Sequence, residues 1–201
     1  MIRRTAATLA FHFRMTERLI ACVLGGTAPR ARTELHDVAF AVGASLAAVH
    51  EQLLDSWFGD PRGLHVDAWC FLDSVEGFRV RLARTPSDNG LHLYFINIGG
   101  YRPGVFGEHH GWGFFGAANK TDAKRRAKRT LLQDHEQTHK DDLHEIDDCL
   151  LVSRVGRWHV HLEPAASAMG PAVRNGYFPL PRRTIEGWLA NKKGTEVINP
   201  T

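Results

Sequence analysis

Sliding the sequence past itself by 74 positions lays Gly25–Ala44 on Gly99–Ala118, and seven of the twenty aligned positions are identical. The matches are Gly25/Gly99, Gly26/Gly100, Pro29/Pro103, Glu34/Glu108, His36/His110, Phe40/Phe114 and Ala44/Ala118. Chance gives roughly one identity in such a window, so the chain carries an internal repeat. Beyond it Leu53-Leu54 meets Leu131-Leu132, and Val66-Asp67 meets Ile146-Asp147. Val75, Val80 and Leu82 then fall on Val155, Val160 and Leu162, so the offset grows from 74 to 80 without a deletion. Both insertions fall where loops are expected.

Each copy reads as β-β-α-β-β. An apolar run enters a double glycine, Gly25-Gly26 or Gly99-Gly100, read as a strand ending in a tight turn rather than a phosphate-binding loop, since no G-x-G-x-x-G or Walker pattern follows. A second strand spans Glu34–Val42 or Glu108–Ala118. A helix follows, with Ser45 or Thr121 as the expected N-cap; Leu46, Val49, Leu53 and Trp57 form the buried stripe of the first, and Ala123, Ala127 and Leu131 that of the second. A hairpin closes each unit, Val66–Leu72 with Phe78–Leu82 and Ile146–Val152 with Trp158–Leu162. One such unit leaves a sheet face or edge uncovered, whereas two related by a pseudo-twofold bury each other. The expected fold is α+β with about eight strands and two main helices. Residues 1–14 read as an N-terminal extension, 15–90 as repeat one, 91–164 as repeat two, and 165–201 as an extended C-terminal arm with a short helix near Thr184–Lys192.

Composition narrows the setting. With 201 residues, 43% of them hydrophobic, the chain can bury a core, and no apolar run approaches the roughly 18 residues of a membrane span. Three cysteines in apolar strand-like runs read as buried thiols of a reducing compartment, and a bacterial cytoplasm is the expected location. Arg3 and Arg4 before Ala6–Phe13 superficially suggest a signal peptide, but His12 and Arg14 interrupt the apolar stretch. A net charge of +3 does not by itself indicate nucleic acid.

Several motifs in order resemble the bacterial domain of unknown function 1543. They are Leu24-Gly25-Gly26, Glu34-Leu35-His36-Asp37, Trp57-Phe58-Gly59-Asp60, Leu64-His65-Val66-Asp67, Ile98-Gly99-Gly100-Tyr101, Glu108, His110 and His139-Lys140-Asp141-Asp142-Leu143. The resemblance covers about Leu19 to Pro164 and implies one or two copies of that domain; it brings no activity, cofactor or catalytic residue.

Glu34, His36, Glu108 and His110 are the first candidates for chemistry, because both copies keep the Glu-x-His spacing. Alternation puts Glu34 and His36 on one strand face with Val38, Phe40 and Val42, expected to be the helix-covered face. Two readings stand. The pair braces the helix C-terminus and the double-glycine loop, or the two pairs meet across the pseudo-twofold and hold a polar or anionic ligand or a divalent metal such as zinc, iron or manganese. His135-Glu136-Gln137-Thr138-His139 matches the H-E-x-x-H of zinc proteases, but its polar flanks argue against a core helix. Lys120, Lys124, Arg125, Arg126, Lys128 and Arg129 give the second helix a basic outer face, a solvated surface or a nucleic-acid contact. His159 and His161, whose copy-one counterparts are Arg79 and Arg81, read as a positive surface, and Asp67 and Asp147 as loop braces. The first functional reading is a non-catalytic ligand- or partner-binding module; the alternatives are a metal-dependent enzyme using the paired Glu-x-His motifs and nucleic-acid binding through the basic helix.

Overall fold

The computed structural model describes residues 16–101, 103–131 and 148–198; the His135–His139 motif, Asp147 and residues 1–14 lie outside the described residues. Repeat one runs β1 (Arg18–Thr27), β2 (Leu35–Gly43), a 3-10 turn (Ala47–Val49) leading into α1 (His50–Ser56), β3 (Asp60–Phe71), β4 (Ser74–Val75) and β5 (Phe78–Ala83). Repeat two gives β6 (His92–Gly100), β7 (His109–Ala117), α2 (Lys120–Thr130), β8 (Asp148–Leu151), β9 (Arg154–Val155) and β10 (Trp158–Pro164). The arm forms β11 (Arg174–Pro179) and α3 (Arg182–Ile198), a longer helix than the short one expected there. The fold is α+β, and its strand count among the described residues, eleven in three sheets, exceeds eight because β4, β9 and β11 add pairings of their own.

Strand order is β11-β3-β1-β2 in the first sheet, β7-β6-β8 in its repeat-two counterpart, and β4-β5-β10-β9 in a third sheet shared by both repeats. Gly25 pairs with His36 in β1/β2, and Gly99 with His110 in β6/β7, so the 74-residue offset is reproduced as an identical strand register. In the shared sheet Val160 pairs with Leu82, and Leu162 with Val80. With Val80 equivalent to Val160 and Leu82 to Leu162, these pairs exchange under a twofold whose axis passes the self-equivalent pair Arg81–His161. The expected long hairpins shrink accordingly. β4 pairs with β5 only at Ser74–Arg79 and Val75–Phe78, around Glu76-Gly77 with φ +78° at the glycine. The chain instead turns a corner at Leu72–Asp73, and β5 spends its other edge on β10.

The layers run helix, sheet, sheet, helix. Ile20, Cys22, Leu24, Ala39, Ala41 and Val66 pack outward under Leu53, Leu54, Trp57 and Ile185. The other face of the same sheet (Leu19, Ala21, Val42, Cys70) meets Leu93, Phe95, Val160 and Leu162 of repeat two. Phe40 lies edge-on to Phe95 and Phe114, at 6.1 and 6.3 Å between centroids. Val38, Phe40 and Val42, and with them His36, therefore face the second repeat, not the helix. Both β2 faces are apolar, and the close approach of the helix layer selects the one with alanines 39 and 41, leaving the bulky side to fill the wider space between sheets. α2 covers Tyr94, Ile96, Ile98 and Phe115 through Ala123 and Ala127. Its N-cap is Asn119, which accepts from Asp122 N–H at 2.9 Å, two residues before the expected Thr121. Ser45 Oγ accepts from Ala48 N–H at 3.3 Å and so caps the 3-10 turn rather than α1 itself.

Candidate functional site

Three strands place the candidate side chains in one row. β1 is central, and Gly25 faces His36 on one side and His65 on the other. Directly opposed residues of antiparallel strands project to the same face, so the two imidazoles flank a residue with no side chain. β1 advances from Val23 to Leu24 while β3 advances from Ala68 to Val66. Asp67 is therefore the extra residue of a β-bulge, and the bulge turns its carboxylate into the gap above Gly25. A Cβ on Gly25 would run into His65 Nε2 and lie 2.6 Å from Asp67 Oδ2.

Gly25-Gly26 is thus not a turn at the end of a strand. Both glycines lie inside β1, whereas Gly99-Gly100 ends β6 with Gly100 still paired to His109, and none of the four has positive φ. Gly25 clears space for His65 and Asp67, and Gly26 for the Trp57 indole, whose ring would lie 2.9 Å from a Cβ there.

Four groups converge over Gly25. His65 Nε2 is 3.1 Å from Glu34 Oε1 and 3.4 Å from Asp67 Oδ1. His36 Nε2 is 3.1 Å from Asp67 Oδ2 and 3.8 Å from Glu34 Oε2. The His65 side chain is 5% exposed, whereas Glu34 and His36 stand half exposed. His65 Nδ1 lies 3.0 Å from Gly63 O. A carbonyl only accepts, so Nδ1 carries the hydrogen, and Nε2 is the ring nitrogen that faces the two carboxylates. Asp67 Oδ2 is buried without a hydrogen bond, the His36 contact being off the required line. Tyr177, from β11, lays its ring against His65 with centroids 4.6 Å apart.

The Glu-x-His of repeat two has a different neighbourhood. His110 Nδ1 meets Asn97 Oδ1 at 3.2 Å, and His110 Nε2 is 3.9 Å from Glu108 Oε2. The positions equivalent to His65 and Asp67, Glu145 and Asp147, lie outside the described residues. The ion pairs of Glu34 and His36 are with each other, His65 and Asp67, so the cluster is built within repeat one. His65 and Tyr177 are its two members that were not among the sequence candidates.

One row further along the same face, Val23 faces Val38 and Ala68. These three form one wall of an apolar cleft of about 210 Å³ whose other wall carries Phe95, Trp112 and Phe114 from repeat two. Successive same-face residues on a strand lie about 7 Å apart, so the polar cluster lies one row along the sheet from the wall of this cleft. Among the described residues no group of three or more His, Cys, Asp or Glu is arranged to hold a metal ion. On the basic helix, Arg126 donates to Gly116 O and Arg125 pairs with Asp122, which ties two of its six cations to the protein's own acceptors. Lys124, Lys128 and Arg129 lie on the same helix, the last two in its final turn, where cations suit the helix dipole. No helix among the described residues is long and apolar enough to cross a membrane.

The family model described as Domain of Unknown Function (DUF1543) matches residues 31–82 and 106–153, one segment in each repeat. The chain is similar to the crystal structure of a protein Il1583 from Idiomarina loihiensis, at 30% sequence identity and a TM-score of 0.65, over 83% of this chain and 99% of that one. No curated protein matches the sequence.

Proposed function

From the premise that this chain belongs to the DUF1543 family, with two copies of the domain, we propose that it is a binding module for a small organic cation. The cationic group sits among Glu34, His36, His65 and Asp67, and the apolar body lies in the cleft beside Val23, Val38 and Trp112. The observation that carries this reading is the convergence of acceptors. With His65 Nδ1 committed to Gly63 O, its Nε2 stands 3.1 and 3.4 Å from carboxylate oxygens, and Asp67 Oδ2 is buried beside it without a hydrogen bond. Lone pairs at that separation repel unless a proton or another cation is shared among them. A primary ammonium supplies three donors to such a site, and the adjoining cleft gives an attached apolar group a surface to cover.

A divalent ion is the second reading. Tetrahedral zinc with ligands at about 2.1 Å has donor–donor edges of about 3.4 Å. The four nitrogen–oxygen separations here run from 3.1 to 3.8 Å but use both oxygens of each carboxylate, so no four donors form one such shell as they stand. The half-exposed Glu34 and His36 would have to swing to complete a shell, which is why the ammonium is the first occupant.

Calorimetric titration of the whole protein with methylammonium, butylammonium and benzylammonium, and separately with zinc and manganese chlorides, tests both. Affinity is expected to rise along the amine series by up to about fourfold per buried CH2, from about 0.8 kcal/mol each. Benzyl alcohol should not bind, and Asp67→Asn should abolish amine binding while leaving the circular dichroism spectrum unchanged. Absence of saturable amine binding, or equal binding by Asp67→Asn, refutes the first reading. Zinc binding lost in the same variant would then establish the second.

A further inference from the structure

A second cavity, of about 750 Å³, lies where the start of β1, the β3–β4 corner and β5 meet the β9–β10 turn of repeat two. We infer that this groove binds a small phosphate-bearing anion with an apolar or planar body. Four guanidiniums line it (Arg18, Arg81, Arg84 and Arg157) against two carboxylates, Glu17 and Asp73. Arg81 also pairs at 2.8 Å with Glu163, outside the groove, and subtracting that charge still leaves one positive charge uncompensated. The pairings leave donors over. Arg18 spends Nε and one terminal nitrogen on Asp73, Arg81 spends Nε, and Arg157 reaches Glu17 only at 3.8 Å. Each guanidinium has five N–H groups in a planar fork suited to phosphate oxygens.

Arg84 is the member that points most directly to a ligand. It lies over the Trp158 ring with its central carbon 3.8 Å from the centroid, while Arg157 approaches the same ring at 5.7 Å. Stacking fixes the guanidinium plane without consuming its hydrogen-bond donors. The internal repeat shows that the fold does not require this arrangement. By the 74- and 80-residue offsets, the equivalents of Arg18, Asp73, Arg84, Arg157 and Trp158 are His92, Ser153, Pro164, Gly77 and Phe78. The same skeleton is thus built once with the arginines and once without. Leu19, Val80 and Leu82 supply apolar wall beside the charges, which is the reason for assigning the ligand a carbon body as well as a phosphate.

The test is heteronuclear NMR titration of the whole protein with phenyl phosphate, inorganic phosphate and phenol. Phenyl phosphate is expected to saturate with shifts at Trp158 Nε1–H and the Arg84 and Arg157 side chains, at least threefold tighter than inorganic phosphate; phenol should give none. Binding should weaken as ionic strength rises from 0.05 to 0.3 M, about a twofold shortening of the Debye length. The Arg84→Gln/Arg157→Gln double variant should bind at least tenfold more weakly with an unchanged fold by circular dichroism. Asp67→Asn, which disables the cation cluster, should bind phenyl phosphate normally, so the two proposals fail or stand separately. No saturation by phenyl phosphate at millimolar concentration, or full affinity in the double variant, overturns the assignment.

Discussion

Gly25→Ala puts a methyl group where His65 Nε2 and Asp67 Oδ2 now pass. The added carbon would run into the imidazole nitrogen and lie 2.6 Å from the carboxylate oxygen. His65 is 4% exposed, with the Tyr177 ring against it and Nδ1 anchored to Gly63 O, so it cannot simply swing to solvent. Overpacking of this kind typically costs about 1–3 kcal/mol. Alanine also restricts the unfolded chain, which returns about 0.4–1 kcal/mol at an extended position. The net expectation is a loss of up to about 2.6 kcal/mol, or up to about 10 °C in Tm for a chain of this size. The discriminating measurement is a double-mutant cycle with His65→Ala by urea denaturation, in which the loss from Gly25→Ala should shrink by about 1 kcal/mol or more once the imidazole is gone. Additive effects in the cycle, or a Gly25→Ala variant as stable as the parent and still binding ammonium, would refute the claim that this glycine is small for the sake of the cluster.

Phe95→Ala empties the core between the repeats, where Phe95 is 4% exposed and stacks near Phe40 and Phe114, and should cost about 3–5 kcal/mol by denaturant melt. Gly116→Val installs the residue that repeat one has at the equivalent position, Val42, but its Cβ would run into Cδ2 of the Phe78 ring and lie 2.8 Å from Cε2; a loss of about 1–3 kcal/mol is expected in the same assay. Burial pushes the Cys22 thiol up to about 12 and the Cys70 thiol up to about 11. Thiolate-selective reagents at pH 8 should therefore spare both in the native protein and label them after unfolding, as mass spectrometry of the labelled peptides can show. Asp55 is held below the usual carboxylate range by hydrogen bonds from Lys192 and Trp188, which fasten α3 to α1. A depressed folded-state pKa stabilises above the unfolded value and is lost as pH falls through the folded one. Asp55→Asn should thus remove a small acid-side dependence of stability, under about 1 kcal/mol for so exposed a pair.

The repeat was legible because its offset survives as strand register, Gly25–His36 and Gly99–His110 alike. The orientation of β2 was not. Alternation separates Val38, Phe40 and Val42 from Ala39 and Ala41 but does not say which set meets a helix, and the larger set faces the other repeat. The β3–β11 pairing was equally hidden, since the arm joins the sheet through backbone groups, Arg174 opposite Trp69 and Pro179 opposite His65, that leave no periodic signal across so short a strand. His65 was visible within Leu64-His65-Val66-Asp67, two positions before an aspartate both copies keep. Comparing copies passed it over because the equivalent in repeat two is Glu145.

That omission bears on how a duplicated chain divides structure from chemistry. Residues held in both copies can do shared packing work, as Phe40 and Phe114 do by meeting in the core between the repeats. The Glu-x-His pair belongs to both, yet its surroundings differ: Glu34 meets His65 and His36 meets Asp67 over a glycine, while His110 meets Asn97 and Glu108. Around the twofold, Arg81 faces His161 as a self-equivalent pair, but Arg84 and Trp158 correspond to Pro164 and Phe78. A symmetric skeleton fixes where a site can form, one row from the inter-sheet cleft or beside the axis. Which of the two symmetric positions carries charge is decided by residues that only one repeat has, so each proposed ligand should bind once per chain. Native mass spectrometry showing two equivalent benzylammonium or phenyl phosphate sites per chain would contradict this division of labour.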